Sequence, residues 1–415
     1  MTTILSFARP VFAACAIALV LTACGGGDDA STAPTSSNPA PANPAPADPQ
    51  PPTGPTTELP AGRTVAAGLR HSLFVKADGT VWAVGQNAEG QIGDGTFADR
   101  TSAVQVSSLS NVTAVAAGDR FSLALRSDGT VWAWGLNDEA QLGDGTDVTR
   151  SAPVQVTGLP AGIRAIAAGS YHALALDNQN QLWGWGRNTS GPVGDGSTSH
   201  RTSAVQVPGM VDVSRIAAGG FHSLALKKDG SLWSWGRNHH GQLGDGTTGT
   251  RTSPAQVMGL PLLADVAAGC CHSAAAARDG TVLSWGDNEW GQLGDGSTME
   301  RQTPATVPGL SGVARVLAGG DNTAALLADG TLRIWGDNRG GMVGDGTLAT
   351  RTTPQEVMLM KDVTSLSVGL GHSIAVNAAG QLWGWGVNQD AQLNDGGKLN
   401  KPVPVLLLDG MRQPQ

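Results

Sequence analysis

The chain repeats itself every 50 or 51 residues, and this period constrains its fold more than any other feature. Three markers recur in the same order in each unit. The glycine of "AAG" or its variants stands at 68, 118, 169, 219, 269, 319 and 369. The glycine of "WG" or "VG" stands at 85, 135, 186, 236, 286, 336 and 386. The aspartate of "GDG" or "NDG" stands at 94, 144, 195, 245, 295, 345 and 395. Chance does not produce this order seven times, so the chain is a repeat protein.

Each unit contains four short segments with the composition of β-strands. The first is "VTAVAAG" and the second is "HSLAL", as at 222–226. Asp229–Gly230 then predicts a tight hairpin turn. In the third segment, "LWSWG", Trp233 and Trp235 are two residues apart and point to one face of the sheet. The fourth is "PAQV". A small sheet cannot bury both of its faces alone, so we predict an all-β, seven-bladed β-propeller of four-stranded blades over residues 60–410, with tryptophan pairs between the blades.

The segment before the repeats predicts export. Residues 1–23 contain one early charge, Arg9, and an apolar run that is too short for a stable membrane span. The segment ends in "LTAC" and resembles the lipobox of bacterial lipoproteins, which implies lipidation of Cys24. Gly25 in the next position favours the outer membrane, with the protein facing the periplasm or the cell surface. The alternative is an ordinary signal peptide with a chance cysteine. Residues 24–59, rich in proline, alanine, serine and threonine, predict an extended tether.

Charge and motif content exclude several functions. The formal net charge of −8 argues against a nucleic-acid partner. No lysine- and arginine-rich run suits an anionic membrane, so the lipid anchor is the only membrane contact that we expect. The sequence has no zinc-protease helix motif, no phosphate-binding glycine loop and no recognisable catalytic triad. We therefore expect no catalytic residue, no cofactor and no enzymatic activity.

Features that recur in most units are expected to build blades. Five histidines occupy one position of the repeat, and we expect them to be buried and hydrogen-bonded to neighbouring backbone. They are His71, His172, His222, His272 and His372. Each "GDG" aspartate has a basic residue six positions later, as in Asp94 and Arg100. This spacing predicts ion pairs that close the loop between strands three and four, contributing little where they are exposed.

Functional residues are expected where the repeats differ. In an antiparallel blade successive connections alternate between the two faces of the disc, so the one-to-two turns and the three-to-four loops share a face. Two variable pairs per unit lie on this variable face, one after "AAG" and one after the asparagine of "WGxN". Tryptophan, tyrosine and arginine dominate binding hot spots. The alternative is drift on a solvated surface. The candidate partner-binding residues are Arg70, Arg120, Tyr171, Phe221, His239, His240 and Trp290.

Trp290 is singled out because the other eleven tryptophans all occupy strand-three positions. Cys270 and Cys271 occupy the same variable position as Ser170 and Tyr171. We expect the two cysteines to be small filler side chains at this position. A vicinal disulfide in an oxidising compartment is the alternative, although adjacent cysteines close a strained ring. Metal binding by this pair with nearby histidines is the reading that we set aside, so no metal site is expected.

The consensus "[V/I]AAGxxHSLAL … GxLWxWGxNxxGQLGDGT" resembles the regulator of chromosome condensation (RCC1-like) repeat family, whose members are seven-bladed propellers. The segment 216–226, "IAAGGFHSLAL", matches this pattern at every position. The resemblance covers residues 62–408. The chain departs from it at Phe121 and Asn322, which occupy the histidine position, and at "SVG" in 367–369.

The resemblance implies binding rather than catalysis. The eukaryotic namesake exchanges guanine nucleotide on the Ran GTPase through an inserted wedge, and units of 50 or 51 residues leave no room for such an insertion. Plant UV-B photoreceptors of the family use tryptophan clusters where this chain has only Tyr171 and Phe221 as aromatic residues. A secreted bacterial relative inhibits β-lactamases with one face of its disc.

We therefore expect a non-catalytic, envelope-tethered propeller that is monomeric and binds an unidentified envelope or extracellular protein. The alternatives are an inhibitor of a cell-wall or β-lactam-hydrolysing enzyme and a carbohydrate-binding or hydrolytic propeller.

Overall fold

The computed structural model describes residues 64–410, which form seven four-stranded antiparallel sheets, the blades of a propeller. Blades 1 and 2 contain β1 (Val65–Ala67), β2 (His71–Val75), β3 (Val81–Gly85), β4 (Arg100–Gln105), β5 (Val112–Ala117), β6 (Phe121–Arg126), β7 (Val131–Gly135) and β8 (Arg150–Gln155). Blades 3 and 4 contain β9 (Ile163–Ala168), β10 (His172–Asp177), β11 (Leu182–Gly186), β12 (Arg201–Gln206), β13 (Val213–Ala218), β14 (His222–Lys227), β15 (Leu232–Gly236) and β16 (Arg251–Val257).

Blades 5 to 7 continue in the same order, and each blade uses four consecutive strands. They contain β17 (Leu263–Ala268), β18 (His272–Ala277), β19 (Val282–Gly286), β20 (Arg301–Thr306), β21 (Val313–Gly319), β22 (Asn322–Leu327), β23 (Leu332–Gly336), β24 (Arg351–Glu356), β25 (Val363–Val368), β26 (His372–Asn377), β27 (Leu382–Gly386) and β28 (Lys401–Leu408). The predicted fold class and blade number are confirmed.

The signal peptide, Cys24 and the tether lie outside the described residues and stay predictions. Within residues 64–410 the structure has no helix of the length and apolarity that a bilayer crossing requires.

The propeller closes without exchange of strands. Blade 7 meets blade 1 through side chains: Ser72 Oγ and His372 Nε2 are 2.7 Å apart, and the Ala67 amide donates to Ser367 Oγ at 3.0 Å. The Ala103 amide donates to Asn394 Oδ1 at 2.8 Å. The first and last blades therefore join as any other neighbours do.

The tryptophan pairs divide the packing between blades. Trp235 is fully buried, and its indole N–H donates to the Pro192 carbonyl of the preceding blade at 2.8 Å. Trp233 contacts the same interblade cluster but is half-buried, and the Lys227 ammonium lies 4.5 Å from the centre of its ring. The inner tryptophan thus fills the wedge between blades, as predicted, and the outer one covers its edge.

The "AAG" glycines lie where the blades crowd together around the propeller axis. A Cβ atom on Gly169 would be 2.3 Å from the carbonyl oxygen of Gly219, and one on Gly219 would be 2.5 Å from that of Gly269. No side chain fits at such distances, so the tight centre of the propeller requires glycine here.

The repeated histidines are buried as predicted, but the predicted partner was wrong. His222 Nε2 lies 2.9 Å from the Ser273 hydroxyl of the next blade, and that hydroxyl donates to the Gln242 carbonyl at 2.8 Å. Because the single hydroxyl proton is used on the carbonyl, the imidazole Nε2–H must be the donor to the serine. Burial lowers the pKa of His222 to about 3, so its ring is neutral. Equivalent contacts join His71 to Ser122, His172 to Ser223, His272 to Thr323 and His372 to Ser72.

The predicted aspartate–arginine pairs are present and fix the three-to-four loops. Asp94 accepts from Arg100 Nε at 2.6 Å and from the Thr96 amide at 3.0 Å. Desolvation raises the pKa of Asp94, but the bonds from Thr96 and Arg100 outweigh it and the pKa is lowered. The Asp94 side chain is only 8% exposed, so the pair is more sheltered than the sequence suggested. These loops carry the variable residues.

Candidate functional site

The variable face is built from two layers of positions around the axis. In each blade the residue after "WG" donates its backbone N–H to the carbonyl of the second residue after "AAG", for example Arg187 to Tyr171 at 2.9 Å and Asp287 to Cys271 at 3.0 Å. This bond confirms that the one-to-two turn and the three-to-four loop share a face. We call the two residues the inner pair of a blade. From blade 1 to blade 7 the inner pairs are Arg70–Gln86, Arg120–Leu136, Tyr171–Arg187, Phe221–Arg237, Cys271–Asp287, Asp321–Asp337 and Gly371–Val387.

The second layer contacts the inner pair of the following blade. We call the second residue after the "WGxN" asparagine the outer residue. Glu139 Oε1 lies 3.3 Å from Arg187 Nη1 of the next blade. A Cβ on Gly340 would lie 2.4 Å from Val387 Cγ2, so the same reach holds in blade 6. From blade 1 to blade 7 the outer residues are Glu89, Glu139, Ser190, His240, Trp290, Gly340 and Asp390.

Two of the predicted aromatic residues meet on blades 3 and 4. The rings of Tyr171 and Phe221 stack with centres 6.1 Å apart at an interplanar angle of 22°. The Arg187 guanidinium lies 5.6 Å from the Tyr171 ring centre and 5.4 Å from that of Phe221. Arg237 lies 5.5 Å from the Phe221 ring centre. The result is a half-buried cluster in which two guanidinium groups border two stacked rings.

Trp290 belongs to a separate arrangement on blades 5 and 6. The Arg339 guanidinium lies 3.6 Å from its ring centre. Asp337 holds that guanidinium through two hydrogen bonds, at 3.0 and 2.9 Å. Contacts of this kind contribute about 0.5–1 kcal/mol at exposed sites. The prediction that Trp290 lies on the variable face is confirmed, but its own contacts are with Arg339.

Three of the predicted binding residues, Arg70, Arg120 and His240, already have acidic partners. Arg70 lies 3.4 Å from Asp390, and Arg120 lies 3.5 Å from Glu89. His240 Nδ1 lies 3.1 Å from Glu300.

His239 is held by a neighbouring guanidinium. Its Nδ1 accepts from Arg237 Nε at 3.3 Å, so this nitrogen carries no proton. Desolvation, then the charges of Arg237 and His240, lower its pKa.

Sequence reasoning missed the residue between "WG" and the asparagine, which contributes half of each inner pair. Arg187, Arg237, Asp287 and Asp337 all occupy this position, and its variability was the signal that could have found them. These four residues add two cations to blades 3 and 4 and two carboxylates to blades 5 and 6.

Two acids near the axis have perturbed pKa values. Burial raises the pKa of Asp119 to about 6, against hydrogen bonds from Ser170 and Tyr171 and the charge of Arg120. Burial, then the charges of Asp287 and Asp337, raises the pKa of Asp321 to about 6.

Cys270 and Cys271 are free thiols whose Sγ atoms lie 3.5 Å apart. The hydrogen bond between them raises the pKa of Cys270 and lowers that of Cys271. The disulfide stays a prediction. Between residues 64 and 410 no group of three or more histidine, cysteine, aspartate or glutamate side chains is arranged to hold a metal ion.

Comparison with known proteins agrees with this architecture. The curated relatives include a probable E3 ubiquitin-protein ligase, HERC4, whose human form is 44% identical over 147 residues. That match covers 35% of this chain and 14% of the relative, so most of the relative has no counterpart here.

Solved structures share the fold. Human WBSCR16 has 25% identity and a TM-score of 0.69, with 75% of this chain and 85% of that chain covered. Yeast RCC1 (Prp20), solved with Kap60, has 20% identity and a TM-score of 0.72, with coverage of 82% and 85%.

Family models match most of the chain. The model of the RCC1-like domain matches residues 24–264, which is more than half of the sequence. The model of the regulator of chromosome condensation (RCC1) repeat matches residues 279–326 and 329–376. With seven blades and the repeated histidine and tryptophan contacts, these matches show that the chain belongs to the RCC1-like family of β-propellers.

Proposed function

We propose that the chain is a non-catalytic binding protein and that its variable face docks another protein. The RCC1-like fold supports a protein-interaction role. The observation that carries the proposal is the stack of Tyr171 on Phe221 between two guanidinium groups.

Several properties of this stack suit a binding hot spot. Two adjacent aromatic rings offer a large contact area with few rotatable bonds, so little conformational entropy is lost when a partner covers them. The flanking arginines limit the freedom of the rings before binding. The inner position holds aromatic residues only in these two neighbouring blades, so the stack is not part of the repeated scaffold. Aromatic and arginine side chains together are typical of hot spots.

The acids with raised pKa values do not favour catalysis. Asp119 belongs to blade 2 and Asp321 to blade 6. For both, burial is the largest cause of the raised pKa. Neither forms an ion pair with a described residue. A binding role for the face is therefore the simpler account.

The proposal places the partner at the cell envelope. The lipobox-like segment that ends at Cys24 and the tether of residues 24–59 support export and lipid anchoring. If so, Cys24→Ala should move the full-length protein from the detergent phase to the aqueous phase of a Triton X-114 extraction. Unchanged partitioning would contradict lipidation at Cys24.

Affinity capture tests the docking face. Mature wild-type protein, a Tyr171→Ala, Phe221→Ala double variant and a Met258→Ala control are incubated with envelope extract from the native cell. Met258 is 75% exposed in the connection between β16 and β17, and it belongs to neither the inner pairs nor the outer residues of the variable face. We expect that the wild type and the Met258→Ala control capture one protein and that the double variant does not capture it. Equal capture by all three would contradict docking at this face.

A further inference from the structure

We propose that the docking site on blades 3 and 4 recognises a carboxylate of its partner, which binds Arg237 beside the ring of Phe221. The inference rests on the proposed function and adds the chemistry of the partner: an acidic segment of a protein.

Three inner arginines of the variable face follow one pattern, which we call the pairing rule. An arginine of the inner pair receives a carboxylate from the outer residue of the preceding blade. Arg187 pairs with Glu139 at 3.3 Å, and Arg120 pairs with Glu89 at 3.5 Å. Arg70 pairs with Asp390 of blade 7 at 3.4 Å across the closure of the propeller. Each of these three inner arginines is thus paired with a carboxylate that belongs to the preceding blade.

The pairing rule fails at Arg237 only. The outer residue of blade 3 is Ser190, whose short hydroxyl replaces the glutamate or aspartate of the other three cases. Among the ion pairs that the structure describes for residues 64–410, none includes Arg237. Its observed partners are the Phe221 ring at 5.5 Å and His239 Nδ1, to which Nε donates at 3.3 Å. An inner arginine without a carboxylate therefore borders the aromatic stack.

Acids of blades 2 and 5 do not supply the missing charge. Glu139 is used by Arg187 and by His200, whose Nδ1 lies 3.2 Å away. Glu300 faces His240. Asp287, in the inner pair of the next blade, forms no ion pair with Arg237 within 4.0 Å. Arg237 therefore has no carboxylate partner within residues 64–410, although its charge helps to lower the pKa of the Cys271 thiol.

A protein carboxylate suits Arg237 as a partner better than other anions would. Guanidinium groups bind carboxylates through two parallel hydrogen bonds, which gives both strength and orientation. The other arginines of this layer each lie 3.3 to 3.5 Å from a carboxylate through one guanidinium nitrogen, so the scaffold accommodates that group. Ser190 also has a shorter side chain than the glutamates and the aspartate at the equivalent positions of the other three cases. Apolar atoms next to the carboxylate would cover Phe221 and Tyr171.

The experiment supplies the missing carboxylate from the protein itself, by a substitution at Ser190. Three labelled dodecapeptides share glycine-spaced phenylalanines and differ only in carrying glutamate, glutamine or lysine. Their binding to full-length wild-type protein and variants is measured by fluorescence anisotropy. We expect the wild type to prefer the glutamate peptide at least tenfold over the glutamine peptide. Ser190→Glu should abolish this preference because the new side chain pairs with Arg237, whereas Ser190→Gln, which is equal in size but uncharged, should retain it.

A second variant tests the same interaction in case the first variant does not fold. Arg237→Gln removes the cation and should also abolish the preference, with the melting temperature of each variant as the check on folding. A glutamate preference that survives in folded Ser190→Glu or Arg237→Gln would overturn the proposal, and so would its absence in the wild type.

The outcome is separable from that of the proposed function. If Tyr171→Ala, Phe221→Ala abolishes capture of the protein partner while Ser190→Glu does not, docking stands and carboxylate recognition falls. If neither change affects capture, the docking face itself is wrong and carboxylate recognition falls with it.

Discussion

Blades 3 and 4 and blades 5 and 6 use the same positions of the same repeat for opposite chemistry. The first two present the inner pairs Tyr171–Arg187 and Phe221–Arg237, and the next two present Cys271–Asp287 and Asp321–Asp337. The backbone bond inside each pair is 2.9 to 3.1 Å long in all four blades. The scaffold therefore fixes where a side chain stands, and only its identity decides whether that part of the face is basic and aromatic or acidic.

The largest expected effect is on partner affinity, which should depend on blades 3 and 4 much more than on blades 5 and 6. Truncation of Tyr171 and Phe221 to alanine should weaken partner affinity about 100-fold or more, because hot-spot residues typically cost about 2 kcal/mol or more each. Asp321→Asn on the acidic side should cost less than about tenfold. Surface plasmon resonance with the captured partner measures both. A larger loss from Asp321→Asn would reverse the comparison and assign docking to blades 5 and 6.

A smaller effect should be equal in the two regions. His222→Ala and His272→Ala remove the same interblade contact under the basic and acidic sides, to Ser273 and Thr323 respectively. Each should lower the free energy of unfolding by about 1–3 kcal/mol, since a buried hydroxyl loses its donor. Urea unfolding measures the loss. Clearly unequal losses would indicate that these two interblade contacts differ in their contribution to stability.

The same histidines predict how stability depends on pH. Burial lowers the folded pKa of His222 to about 3 and that of His272 to about 4, below the unfolded value of 6.5. Between about pH 6.5 and 4 the unfolded chain therefore binds more protons, and stability falls as the pH falls. Asp119 and Asp321, whose pKa values are raised to about 6, act in the opposite direction between pH 6 and 3.8.

Unfolding curves between pH 7 and 4 should thus show a steady loss of stability, less steep in His222→Asn. An equal slope in the wild type and His222→Asn would contradict a neutral buried imidazole.

The smallest expected effect concerns the thiols at the border between the two regions. The pKa of Cys271 is lowered and that of Cys270 is raised by the hydrogen bond between them. Because the thiolate is the nucleophile, Cys271 should react several-fold faster with iodoacetamide at pH 8, as followed by peptide mass spectrometry. The advantage should shrink in Cys270→Ala. The same spectra identify a vicinal disulfide by a mass two units lower and absent labelling. Faster labelling of Cys270 would contradict this arrangement.

The fold was predictable because each repeat carries its own strand, turn and packing signals. Seven copies of "AAG", "WG" and "GDG" set the number of blades, and the Asp229–Gly230 turn and the Trp233–Trp235 alternation set the hairpin and its buried face. These signals are local in the chain and need no knowledge of neighbouring blades.

The contacts between blades were harder to predict. The serine that binds His222 is Ser273, 51 residues away, while Ser223 directly follows the histidine in the sequence and binds a different one. Trp290 was placed on the correct face. Its contact with Arg339 could not be predicted, because it depends on how blades 5 and 6 pack against each other. Arg237 was overlooked because the frame "WGxN" made its position look like a spacer.

The closure of the propeller has a mechanical consequence. The contact between Ser72 and His372 at 2.7 Å matches the contact between His222 and Ser273 at 2.9 Å, and β1 to β4 and β25 to β28 each remain within one sheet. The boundary between blades 7 and 1 thus has the same kind of non-covalent contact as the other boundaries and no exchanged strand. A pulling force on both ends of the propeller would open it between blades 7 and 1, where no covalent loop bridges the gap. A circular permutant cut between blades 4 and 5 would move that weak point beside the aromatic cluster and make the docking face the part that yields under load.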